Sequence, residues 1–238
     1  MVNTILFDLD GTLIPFVQEE FIRAYFKALV RRLAPMGYDG EKLVAAIWKG
    51  TGAMIANDGS RTNRQVFWES FTGDLGMAAM ALESILENFY ARDFDGVRSV
   101  LRRQADRHGL MAGLRQKGYG LVLATNPVFP AVAVATRMSW VGLAADDFDY
   151  VTTYENSRYS KPELGYYRNI LNQIGRSPEE CLMVGNNPVD DMSALKLGLE
   201  GYLVTDFLED PANTPLEAFR RGSFQELEAF LSALPEVG

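Results

Sequence analysis

The sequence predicts an α/β protein: a parallel sheet with helices on both faces, interrupted after its first strand by an all-helical insertion. Three observations carry this expectation. Short runs apolar on both faces recur along the chain, as strands buried between two layers do. Stretches with helical spacing stand between those runs. From about residue 16 to about 96, helical stripes follow one another with no strand pattern between them.

The first run, Thr4-Ile5-Leu6-Phe7, ends at Asp8 and reads as a buried strand. Phe21, Tyr25, Leu29 and Leu33 then make one helical stripe, and Leu43, Val44, Ile47 and Trp48 a second. Thr62 and Gln65 form a capping box before a third, with Val66, Phe67 and Phe71. Met80, Ile85, Leu86 and Phe89 mark a fourth, with breaks at Met36-Gly37, Asn57-Asp58-Gly59 and Gly73. A span of about 80 residues is too long for a loop, so residues 16–96 are expected to form a small helical domain of their own. Residues 1–15 and 97–238 are expected to form the α/β domain.

Apolar runs resume at Gly120–Thr125 and Cys181–Gly185, with weaker versions at Tyr150–Thr153 and Gly201–Thr205. Tyr166, Tyr167, Ile170, Leu171 and Ile174 have helical spacing. Ser177-Pro178-Glu179-Glu180 is a capping box that opens only a short turn, because Cys181 starts a strand. Ser223 with Glu226 caps a terminal helix carrying Leu227, Phe230, Leu231 and Leu234.

Composition excludes several functions. The formal net charge of −8 argues against non-specific binding to nucleic acid or to an anionic membrane. One cysteine, Cys181, and one histidine, His108, exclude an internal disulfide, a cysteine cage and a multi-histidine zinc site. A Ser-His-Asp triad would have to use His108. An acid already at Asp8 comes too early for a signal peptide, and no apolar run approaches the ~20 residues of a membrane span. The expectation is a cytoplasmic protein whose metal chemistry, if any, uses oxygen ligands. Oligomeric state leaves no mark in the sequence.

In an open parallel sheet, chemistry gathers at the carboxyl ends of the strands. There stand Asp8-Leu9-Asp10-Gly11-Thr12, Thr125-Asn126, Ser160-Lys161-Pro162 and Gly185-Asn186-Asn187-Pro188-Val189-Asp190-Asp191. These types together suit phosphoryl transfer, which needs positioning and charge neutralisation above all. A carboxylate can attack phosphorus, and a second carboxylate two residues on can move the protons. A hydroxyl and backbone N–H groups can hold the phosphoryl oxygens, a lysine can pin charge, and oxygen-ligated Mg²⁺ can neutralise it.

Asp8-Leu9-Asp10-Gly11-Thr12, Thr125, Lys161-Pro162 and the acidic loop after Val184-Gly185 resemble the four motifs of the haloacid dehalogenase-like hydrolase superfamily, in its order. The resemblance covers roughly 1–15 and 97–238, and the insertion resembles that superfamily's helical cap. It implies a Rossmann-like three-layer α/β/α core with an inserted all-helical cap. It implies a Mg²⁺-dependent phosphatase acting on a small phosphorylated metabolite through an aspartyl phosphate. Asp8 would be the nucleophile and a Mg²⁺ ligand. Asp10 would be the general acid and base, with its backbone carbonyl on the metal. Thr125 and the backbone of Asn126 would bind phosphoryl oxygens, and Lys161 would stabilise charge. In dehalogenases of this fold the second position is not an acid, so Asp10 favours phosphate substrates.

The fourth motif departs from the pattern, which places an Asp directly after the Gly as a metal ligand. Here that residue is Asn186, a neutral ligand, and the acids are Asp190 and Asp191 downstream. Asp191 has the better spacing for the metal, although both could simply be acids favoured by a helix N-terminus. A phosphomutase of the same superfamily and a catalytically weakened binding protein remain alternatives.

Other features read as structural. His108 is expected at the surface and Cys181 in the core. The polar stretch Asn57–Arg64 is either a helix–helix turn or a loop reaching over the site. Trp48, Phe67, Trp68 and Phe71 are read as core aromatics before substrate-stacking ones.

Overall fold

Six strands, β1 (Thr4–Phe7), β2 (Gly120–Leu123), β3 (Tyr150–Val151), β4 (Cys181–Gly185), β5 (Glu200–Val204) and β6 (Arg221–Gly222), make one sheet in the order β3-β2-β1-β4-β5-β6. They belong to a computed structural model that describes residues 1–237. Every pairing is parallel, with Phe7 aligned to Leu123 on one side and to Val184 on the other. The chain runs outward from β1 through β2 to β3, then returns to β4 on the opposite side. That reversal opens a crevice at the carboxyl ends of β1 and β4.

The apolar runs are explained by burial on both faces. Ile5 and Phe7 pack with Leu121, Leu123, Leu182 and Val184 on one face. Leu6 packs with Val122, Met183 and Leu203 on the other. The three-layer α/β/α core is therefore as expected.

The inserted stretch after β1 holds four α-helices: α1 (Gln18–Leu33), α2 (Gly40–Ile55), α3 (Asn63–Leu75) and α4 (Leu82–Arg92). Asp39 caps α2 by accepting from the N–H groups of Glu41 (3.0 Å) and Lys42 (3.2 Å). Thr62 and Gln65 form the expected capping box of α3. These helices share the sheet's apolar cluster, since Phe21, Leu29, Phe71 and Phe89 lie in one buried set with Ile5 and Phe7. They are fastened to loops that follow β2 and β3. Asn63 N donates to Ser157 O (2.8 Å), Arg64 N to Tyr154 O (2.8 Å), and Asn63 Nδ2 to Pro127 O (3.0 Å). The inserted helices thus lie over the carboxyl edge of the sheet.

Four further helices follow: α5 (His108–Gln116), α6 (Ala131–Ser139), α7 (Leu164–Ile174) and α8 (Phe224–Ser232). Sequence patterning does not single out α6, because Ala131-Val132-Ala133-Val134-Ala135 alternates like a strand. Third-strand pairing ends at Val151 instead of Thr153, since Thr152 Oγ1 turns back to Thr125 O (2.7 Å) and Thr153 N donates to Asn156 Oδ1 (2.9 Å). β6 is too short to leave a pattern.

Asn57–Arg64 is a turn. Asn57 Nδ2 donates to Asn63 Oδ1 (2.8 Å) and Arg61 O (2.9 Å), and Gly59 sits so close to Tyr159 that a Cβ would fall 2.1 Å from its ring. His108 is exposed at the start of α5, and Cys181 is buried. Among the described residues no helix is long and apolar enough to cross a membrane.

Candidate active site

Asp8 extends the ladder one residue past β1, its N–H donating to Val184 O (2.8 Å). The chain then turns back tightly, with Gly11 N to Ile14 O (3.0 Å) and Ile14 N to Leu9 O (2.9 Å). The turn needs glycine at 11 for two reasons: φ is +75°, and a Cβ would lie 2.2 Å from Asn186 Nδ2.

This turn brings the strand ends together. Thr12 Oγ1 donates to Asp8 Oδ2 (2.9 Å) and also lies 3.3 Å from Asn186 Oδ1. Lys161 Nζ donates to Asp8 Oδ1 (2.8 Å) and Asp191 Oδ1 (2.6 Å). Asp191 Oδ2 accepts from Asn187 N (2.9 Å). Lys161 is only 2% exposed, so its charge is tolerable only because two carboxylates compensate it. Burial works against that charge, but Asp191 and Asp8 outweigh it and hold the lysine well above its ordinary pKa. Burial raises the Asp191 carboxyl, against the pull of Lys161.

The end of β2 adjoins this cluster. Thr125 O accepts from Thr152 Oγ1 (2.7 Å) and Tyr166 OH (2.8 Å), which fixes its backbone. Asn126 Oδ1 accepts from Lys161 N (3.3 Å).

Asp10 faces elsewhere. Its Oδ2 accepts from Nη1 of Arg137, a wholly buried side chain of α6. Arg137 lies over the Phe129 ring, 4.4 Å from its centroid, and its Nε donates to Ala133 O (3.3 Å). Asp10 Oδ1 and Arg137 Nη2 are the two buried side-chain polar atoms without a partner among the described residues. Burial raises the Asp10 carboxyl above its ordinary range; Arg137 opposes this and the Asp8 charge reinforces it.

Asp8, Lys161, Asn186 and Asp191 therefore meet in one network, with Thr125 and Asn126 beside it and Asp10 at its rim. Between the two candidate acids, Asp191 pairs with Lys161, while Asp190 contributes its carbonyl to Tyr167 OH (2.8 Å). Both oxygens of Asp191 already accept hydrogen bonds. Both oxygens of Asp8 do so too, and Asp191, expected as a metal ligand, also holds the lysine.

Sequence reasoning missed three residues. Thr12 stood inside a quoted motif, but without a role. Arg137 had one signal: it is the single charge in the apolar stretch from Val128 to Leu143. Glu209 had none. Its N–H donates to Asn186 O (3.0 Å), and burial, with the charges of Asp190, Asp8 and Asp10, raises its carboxyl. Asp10, Asn126 and Glu209 mark the site end of a cavity of about 340 Å³ that runs between α1, α2, α3 and α4.

The donors suit a hard cation. Asn186 Nδ2 is held by Phe207 O (2.7 Å), which turns the side-chain carbonyl toward Thr12 and Asp8. Among the described residues no three of Asp, Glu, His and Cys gather to hold a metal by themselves. Mg²⁺ commonly takes one or two carboxylates and completes its shell with water and substrate phosphate, so this oxygen-only set fits it.

A family model described as haloacid dehalogenase-like hydrolase matches residues 2–198. The pyrophosphatase PpaX of Bacillus cereus (strain AH820) is 24% identical over 219 residues, covering 92% of this chain and 89% of that protein. Among solved structures, a HAD phosphatase from Thermococcus onnurineus aligns over 100% of both chains at 20% identity with a TM-score of 0.60. The L-2-haloacid dehalogenase of Xanthobacter autotrophicus aligns over 98% of this chain and 100% of its own, at 18% identity and a TM-score of 0.59. Both structural likenesses concern the fold.

Proposed function

This chain belongs to the haloacid dehalogenase-like hydrolases, and we propose that within them it is a Mg²⁺-dependent phosphatase of small phosphate monoesters. One observation carries the reading: Lys161 joins Asp8 to Asp191 at the crevice, while a second carboxylate, Asp10, stands two residues on at the mouth of a cavity. That pair divides the labour of a two-step hydrolysis.

An Asp8 oxygen attacks phosphorus, the bond from phosphorus to the leaving oxygen breaks, and Asp10 gives that oxygen its proton. Water then attacks the phosphorus of the aspartyl phosphate and passes a proton to Asp10, and the bond to the Asp8 oxygen breaks. Burial raises the Asp10 carboxyl, the direction a proton donor in the first step needs, while its pair with Arg137 holds that rise back. Lys161, the Thr125 hydroxyl and the Asn126 backbone hold the phosphoryl oxygens, and Asp191 positions Lys161. Mg²⁺, held by Asp8, the Asp10 carbonyl and Asn186, would supply neutralisation of the charge that builds between nucleophile and phosphoryl group. The helices of residues 16–96 act as a cap that excludes water in the first step and admits it for the second.

The test is release of inorganic phosphate from 4-nitrophenyl phosphate, with and without Mg²⁺. Turnover that needs Mg²⁺ and falls to background in Asp8→Asn is expected. Robust turnover in Asp8→Asn, or no phosphate release by the unaltered protein with Mg²⁺, would overturn it.

A further inference from the structure

We infer that the substrate's leaving group is apolar and carries no negative charge, occupying the cavity between α1, α2, α3 and α4; this rests on the phosphatase reading above. The cavity meets the catalytic residues at Asp10, so a group bound there departs from the same phosphorus that Asp8 attacks.

Its walls are aromatic: Phe21, Tyr25, Phe67, Trp68 and Phe129 line it, and Trp48 stands at the rim with half its surface in solvent. The polar tips of Tyr25 and Trp68 are already engaged. The Tyr25 and Tyr90 hydroxyls bond each other at 2.7 Å, and Trp68 Nε1 donates to Tyr154 OH (3.4 Å). An entering molecule therefore meets mostly ring faces and edges. Ile55, also at the rim, is 45% exposed, an apolar surface without a partner in the fold.

The charges point the same way. Asp10, Glu83, Glu87 and Glu209 line the cavity, and among the described residues no lysine, arginine or histidine does. Of the two nearby guanidiniums, Arg64 pairs with Glu83 (Nε–Oε1 2.9 Å), and Arg137 pairs with Asp10 through Nη1, which leaves only its buried Nη2 without a partner. A second phosphate or a carboxylate on the leaving group would enter a site of its own sign whose walls hold no cationic side chain to meet it. This chain therefore differs in expected substrate from its pyrophosphatase-named relative. The volume, about 340 Å³, is roughly twice that of a cavity known to admit benzene, so a group of one to two rings or a medium alkyl chain fits.

The experiment measures kcat/KM for the linear alkyl phosphates from propyl to hexyl, for 2-naphthyl phosphate and for pyrophosphate, with acetyl phosphate as a probe too small to use the cavity. The alkyl series should climb about fourfold per methylene, and naphthyl phosphate should exceed pyrophosphate at least tenfold. Two variants that narrow the cavity, Thr51→Trp and Ile55→Trp, should each flatten the series. A flat wild-type series, a faster pyrophosphate reaction, or a slope unchanged in both variants overturns the assignment while acetyl phosphate turnover leaves the phosphatase reading standing. If no compound, acetyl phosphate included, releases phosphate above the Asp8→Asn background, both readings fall together.

Discussion

Arg137, fully buried on α6, donates from Nη1 to Oδ2 of Asp10, two residues beyond Asp8. Removing one partner of a buried ion pair leaves the other charged and uncompensated, at a cost of about 3–5 kcal/mol. Arg137→Met is therefore expected to lose that much unfolding free energy. Adding Asp10→Asn should restore part of it, because the stranded charge is then gone. Urea unfolding of the two single variants and the double variant checks this; additive losses would show that the pair is not coupled.

The division between what the residues announced and what they concealed follows from local and non-local signals. Strands buried on both faces write their burial directly into sequence, so Thr4–Phe7, Gly120–Leu123 and Cys181–Gly185 were legible with the chemistry at their ends. Lys161 was readable as a motif, but its two carboxylate partners lie 153 and 30 residues away in sequence, and only the strand order brings them together. Glu209 is the extreme case, with no local pattern announcing a role, and Arg137 showed only as the single charge in an apolar stretch. The choice between turn and site loop at Asn57–Arg64 was likewise decided by a distant residue, Tyr159, packed against Gly59.

Gly185 gives a test of the lysine bridge that leaves every charged group in place. A Cβ there would lie 2.1 Å from Asp191 Oδ2, so Gly185→Ala must push that carboxylate aside. Overpacking of this kind costs roughly 1–3 kcal/mol. The displaced Asp191 would release Lys161, so turnover should fall more than tenfold while the sheet remains folded. Circular dichroism beside phosphate release separates the two effects; full activity in the variant would mean that the bridge does not matter to the reaction.

Alkaline pH should weaken the fold through two buried groups that take no part in the proposed chemical steps. Burial pushes the Tyr25 hydroxyl up to about 12, and burial also pushes the Cys181 thiol up to about 12. Both are raised above their unfolded values, so their contribution is fully present below the unfolded pKa. It is lost as pH climbs toward the folded one, because the unfolded chain sheds protons that the folded chain keeps. For the thiol alone the loss reaches about 2 kcal/mol at pH 10.5. Thermal unfolding between pH 7 and 10.5 should show a Tm that falls above about pH 9, and less steeply in Cys181→Val. Equal slopes in the two proteins would show that the thiol does not contribute.

In the proposed metal shell, Asn186 would decide how much of the cation's charge the protein itself matches. Its Nδ2 donates to Phe207 O at 2.7 Å, and its Oδ1 faces Thr12 and Asp8. Asn186→Asp removes that donor, leaves the Phe207 carbonyl short of a partner, and sets a second negative charge near Asp8. Without metal the variant should lose roughly 1–3 kcal/mol of stability. With Mg²⁺ the added carboxylate gains attraction, much of it offset by its desolvation, so affinity in the substrate-free protein should tighten by roughly 1–2 kcal/mol. The two effects have opposite signs, so a Mg²⁺ titration followed by Tm should start lower for the variant and rise further. Turnover need not follow, because tighter metal in the ground state does not by itself favour the transition state. Equal Mg²⁺ affinities in the two proteins would place residue 186 outside the metal shell and shift the missing ligand to Asp190 or Asp191.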